Sequence, residues 1–147
     1  MIMSPKIAVQ FLRIVAFGSV LAALLFAIAA IGDPTGMFNI FLSAVIPGSE
    51  GVSAIATVEA KMGYAIAGGV FAGFMVMILL ITVPAIERGD KAIIRASIYA
   101  LLIWFIVDSG ASIAGGAPMN AVSNAVFLAL YLLPLVWTKE PSTATAA

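Results

Sequence analysis

Residues 62–86 read MGYAIAGGVFAGFMVMILLITVPAI, an uncharged run of 25 residues. An α-helix rises ~1.5 Å per residue, so this run is long enough to cross the ~30 Å hydrocarbon core of a bilayer. It is read as a membrane span. Pro84, near its end, predicts a kink in the last turn.

Comparable runs lie on both sides. Ile14 to Ile31 is uncharged, follows Lys6 and Arg13, and stops at Asp33-Pro34. A secretory leader is the rival reading of that run, given the small residues Ala27, Ala29 and Ala30, but the run is long for a leader's apolar region. Residues 93–113 and 121–137 complete the set, the last with Pro134 inside it. The expected fold class is all-α, an integral membrane four-helix bundle with spans at about 14–31, 62–86, 93–113 and 121–137. It forms one transmembrane domain over residues 1–137. The polar stretch 138–147 is expected to be a short disordered tail.

Composition agrees. Of 147 residues, 63% are hydrophobic and 10% charged, with a mean hydropathy of +1.18. Soluble domains average roughly 45–50% apolar and about 25% charged, and a chain this small has too much surface to hide the excess. Lys plus Arg and Asp plus Glu number 7 each, which leaves no basic excess for nucleic acid. There is no Cys, hence no disulfide, thiolate metal site or Cys nucleophile. There is no His, which removes the usual haem ligand, the commonest zinc and copper ligand and the usual proton shuttle. No metal site, cofactor or catalytic residue is expected.

The basic residues set the orientation. Lys6 and Arg13 precede the first span, Arg88, Lys91 and Arg95 lie between the second and third, and Lys139 follows the fourth. The opposite side keeps only Lys61, beside Asp33, Glu50 and Glu59. Both termini are therefore expected to be cytoplasmic. The short connection Glu87-Arg88-Gly89-Asp90-Lys91 makes spans two and three antiparallel neighbours, with Asp90 as N-cap of the third. The connection from Gly115 to Asn120 does the same for spans three and four. The long connection after the first span holds Met37 to Ile46, ten residues interrupted by Asn39 and Ser43 and ended by Pro47-Gly48. That is too short to cross and predicts an interfacial or re-entrant helix (residues 37–46) with Asn39 and Ser43 on one face.

Asp108 is the residue that demands an explanation. It lies inside the third run, ~23 Å from its inner start and so in the outer part of the membrane. An intramembrane carboxylate is costly and is a functional-site candidate by default. Trp104 and Ser112 share its helix face and Ser109 adjoins it. Glu59, Lys61 and Tyr64 open span two at the same depth, and Asn120, Ser123 and Asn124 open span four. These groups are expected to converge on Asp108, with Lys61 as its charge partner. The bland reading is hydrogen bonding that fixes helix register; the sharper one is a ligand or ion site. A proton relay needs titratable groups across the whole membrane, and the inner halves of the spans are nearly pure hydrocarbon.

Span two also carries Ala65-x3-Gly69-x3-Gly73, a spacing that lets backbones approach closely. It is expected to serve as a helix-packing face, with Gly18-x3-Ala22 of span one as a matching surface, or to meet another chain. Trp137 reads as an interfacial anchor. The glycine pairs 68–69 and 115–116 lack the strand and the Lys-Ser/Thr of a phosphate loop.

The layout of Asp33-Pro34-x-Gly36, a short non-spanning helix, and Glu59-x-Lys61-x2-Tyr64 followed by Gly68-Gly69 and Gly73 resembles the DoxX-like group of small four-helix bacterial membrane proteins and their uncharacterised relatives. The resemblance implies a four-helix bundle in a bacterial inner membrane. Some members are similar to small subunits of quinol-oxidising assemblies, but no active site is carried over. The expected function is that of a non-enzymatic accessory or structural subunit, with the lipid bilayer and a homo-oligomer or larger membrane complex as partners. The alternative is small-molecule or ion binding or transport through a pocket near the outer leaflet around Asp108, with residues 37–46 as its lid.

Overall fold

A computed structural model describes residues 3–49 and 57–138. Its helices are α1 (Pro5–Ala29), α2 (Met37–Val45), α3 (Val58–Met77), α4 (Val83–Arg88), α5 (Lys91–Ala114) and α6 (Pro118–Val136). A π-helical turn, Ile78–Thr82, joins α3 to α4, so Val58–Arg88 runs as one span. Four spans are long and apolar enough to cross a membrane, with α2 between the first and second. The all-α, four-span architecture is the one expected. The expected tail falls outside the described residues from 139 onward. Thr138 itself is tied back, pairing with Met3 and bonding to Pro134 O.

The first span begins at Pro5, nine residues before the apolar run. Ser4 caps it, its Oγ accepting from the Ile7 N–H at 3.4 Å, and Pro5 supplies a preset φ where no N–H is needed. In the second span, Pro84 cannot donate to the residue a turn before it. The chain widens instead, and the Val83 N–H reaches Ile78 O in an i→i−5 bond. The expected kink is thus a π-turn. Gly89 (φ 68°) closes α4 in the left-handed conformation, with Asp90 N–H bonding back to Ala85 O at 2.9 Å. Asp90 then caps α5, Oδ1 accepting from Ala92 and Ile93 N–H at 3.1 and 3.2 Å, as expected.

α1 is the hub, packing on α2, α3, α4 and α6. Its buried face is mostly small: Ala8, Ala16, Ser19, Ala23 and Ala29, with Val9 and Leu12. α5 packs on α6 and meets the second span at the π-turn and α4. The inner core joins Leu12, Met75, Ile78, Leu101, Tyr131 and Leu135. Large apolar side chains point outward, with Ile14 at 74% and Leu80 at 71% exposed, the pattern lipid requires.

The packing glycine differs from the expected ones. Ala65, Gly69 and Gly73 are exposed. One step round the helix, buried Gly68 meets α1 so closely that a Cβ there would lie 2.6 Å from Ala27 N and 2.7 Å from Ala23 O. These are backbone atoms of a packed helix and give way only at a cost. Gly68→Ala is therefore expected to destabilise the protein in detergent by ~1–3 kcal/mol, read by thermal or denaturant unfolding. Gly69→Ala and Gly73→Ala, which meet nothing within 4 Å, should leave the transition unchanged.

Candidate functional site

The polar groups at the outer end resolve into separate clusters. At the turn between α5 and α6, Asp108 Oδ1 accepts from Ser112 Oγ and from Asn120 Nδ2, each at 3.2 Å. The Asn120 amide also reaches Ser112 Oγ at 2.8 Å, closing a triangle. One turn deeper, Asn124 Nδ2 donates to Ser109 Oγ at 3.3 Å, both buried. Asn120 and Asn124 lie four apart on α6, and Asp108, Ser109 and Ser112 share the facing side of α5, so the hairpin is laced along one seam. Ser123 bonds to Met119 O of its own helix at 3.2 Å.

The other expected members are elsewhere. Lys61 is exposed and makes no ion pair with Asp108; an ion pair instead joins Arg13 to Glu87, at 2.9 Å. Depth alone suggested Lys61, but its helix packs on α1 whereas α5 packs on α6. Glu59 is exposed in the first turn of α3. Tyr64 turns to α2, its ring 4.8 Å from that of Phe38 and edge-on to it. Trp104 lies partly buried one turn below Asp108 and outside the hydrogen-bonded triangle.

Asp33 is the residue whose role the sequence reading missed. The sequence presents it as the stop to the first span, an acidic residue of the outer side and part of the Asp33-Pro34-x-Gly36 layout, but not as a cap. It is buried, holds φ 47°, and caps α2: Oδ1 accepts from Phe38 N–H at 3.2 Å and Oδ2 from Asn39 N–H at 2.9 Å. Thr35 braces it, its Oγ1 donating to Oδ1 at 3.2 Å. A carboxylate at a helix N-terminus meets both the free N–H groups and the positive end of the dipole. The signal was present as an Asp three residues before Gly36, with an apolar helix following. With α2 so anchored, Phe38 and Leu42 are buried against Phe26, Phe41, Ala60 and Tyr64.

Two more buried pairs lie within the spans. Tyr131 donates to Ser19, joining α6 to α1. Thr82 and Ser97 hydroxyls are 2.8 Å apart. Ser97 Oγ donates to Ile93 O at 2.9 Å, and a hydroxyl has one proton, so Thr82 is the donor in the pair. Among the described residues no group of His, Cys, Asp and Glu is arranged to hold a metal.

Asp33→Ala should loosen α2 by the ~1 kcal/mol of a lost cap, seen as about fivefold faster hydrogen exchange at the Phe38 and Asn39 amides. Asn120→Leu removes two interhelical bonds and should cost no more than ~3.4 kcal/mol of unfolding stability, twice the upper range for one such bond in a membrane. Lys61→Gln should change stability by less than ~0.5 kcal/mol, as for a surface position.

No protein-family model, curated protein or solved structure matches this chain, so the reading of the site rests on its own geometry.

Proposed function

We propose that this is a small non-enzymatic membrane protein, an accessory or structural subunit that packs against itself or within a larger complex. In this reading it lies in a bacterial inner membrane as a DoxX-like four-helix protein, both termini on the cytoplasmic side. One observation carries it: among the described residues no buried side-chain nitrogen or oxygen lacks a hydrogen-bond partner. The buried polar groups of the spans tie one helix to the next, which is what a rigid building block needs. The orientation rests on Lys6, Arg13, Arg88, Lys91 and Arg95 gathering at the end of the bundle where Arg13 meets Glu87.

A second reading keeps a ligand or ion near Asp108. What favours it is that Asp108 is only partly buried and uses Oδ1 alone in its bonds to Ser112 and Asn120, which leaves an oxygen for a guest.

Native mass spectrometry of the protein released gently from its membrane, beside Asp108→Asn, separates the two. The subunit reading predicts a defined oligomer or a partner chain, retained in the variant. A small molecule held by the wild type and absent from Asp108→Asn would replace it with the second reading.

A further inference from the structure

The opposite end of the bundle carries a feature that the subunit reading does not use. A groove of about 350 Å³ lies between α1 and α4, lined by Pro5, Lys6, Val9, Gln10, Arg13 and Glu87. Lys6, Gln10 and Arg13 are spaced i, i+4, i+7 and form one stripe. Buried Val9 supplies an apolar wall.

The depth of this stripe is set by the early start of α1. Ile14 opens the apolar run, so Arg13 and Gln10 stand ~1.5 and ~6 Å beyond it and Lys6 ~12 Å. The polar layer of each leaflet is ~5–7 Å deep. Arg13 and Gln10 therefore lie within the polar layer, whereas the Lys6 backbone stands outside it and its long side chain reaches back toward the phosphate.

The charges fit one class of ligand. Arg13 Nη2 donates to Glu87 Oε1 at 2.9 Å. This pair fixes the guanidinium and leaves its other N–H groups available. Two cations face one carboxylate, so the groove keeps a single positive charge. An anionic phospholipid such as phosphatidylglycerol carries a single net negative charge, whereas a zwitterionic headgroup already balances its phosphate with its own cation.

We infer that this groove seats the headgroup of an anionic phospholipid. Arg13, Lys6 and the Gln10 amide donate to its phosphate, Glu87 holds Arg13 in position, and the exposed Ile14 meets the acyl end. The inference requires only that the chain lies in a membrane, so it stands or falls apart from the subunit reading.

The test is native mass spectrometry of the 147-residue chain in detergent micelles, with added phosphatidylglycerol or phosphatidylcholine of the same acyl chains. Phosphatidylglycerol adducts should predominate. Lys6→Gln and Arg13→Gln should each weaken them about fivefold, the factor that follows from ~1 kcal/mol per basic residue at a membrane surface. Arg13→Lys keeps the charge and should recover most of the binding, which separates loss of the site from loss of the fold. Lys61→Gln, at the other end, should change nothing. Millimolar inorganic phosphate should not displace the lipid. Equal adducts with both lipids, an equal loss in Lys61→Gln, or displacement by free phosphate would each overturn the inference.

Discussion

Hydrocarbon offers no hydrogen bonds, and every other feature of this protein follows from that. Backbone groups must be satisfied within each segment, which leaves helices as the form for a chain of this composition. The same rule governs side chains. Ser19 meets Tyr131, Thr82 meets Ser97, Ser109 meets Asn124, and Asp108 shares one oxygen between Ser112 and Asn120. All of these but the Asp108–Ser112 bond join different spans, so the cost of carrying polar atoms into lipid is turned into a specification of which helices are neighbours.

Because lipid tails are as apolar as leucine, burial of large side chains does little to hold the spans together. Close approach does more. The small face of α1 and the bare backbone at Gly68 let α1 and α3 come together, while the bulky residues turn outward. Charge is kept to the ends. Arg13 and Glu87 tie α1 to α4 at one end, and Asp33 spends its carboxylate on the N-terminus of α2 at the other. α2 then covers the outer core with Phe38 and Leu42 and also packs on α6.

The spans were legible because length and lack of charge determine them without reference to any neighbour. Asp90 as a cap and the short helix after Gly36 were legible because their signals are local. What required the third dimension was rotation about a helix axis. Ala65, Gly69 and Gly73 form as good a small-residue stripe as any, yet the contact falls one position away on Gly68, and spacing alone does not say which face meets a partner. Lys61 and Asp108 share a depth but sit on helices that pack elsewhere. The start of α1 was hidden because Lys6, Gln10 and Arg13 read as a polar flank, although Ser4-Pro5 is a helix-start signal. Single hydroxyls such as Ser19, Thr82 and Ser97 carry no spacing signal, yet each meets a partner on another span.

We propose that this four-span protein turns the end that carries Arg13, Glu87 and Arg88 toward the cytoplasm. The chain has no cysteine, so single cysteines report without background. The direct measurement is labelling of Ser49→Cys, Arg88→Cys and Met119→Cys by a membrane-impermeant maleimide in intact bacterial spheroplasts. The account predicts labelling at positions 49 and 119 and protection at position 88 until the membrane is opened. Labelling at position 88 with protection at 49 and 119 would invert the topology, and labelling of 49 and 119 on opposite sides would contradict the four-span arrangement itself.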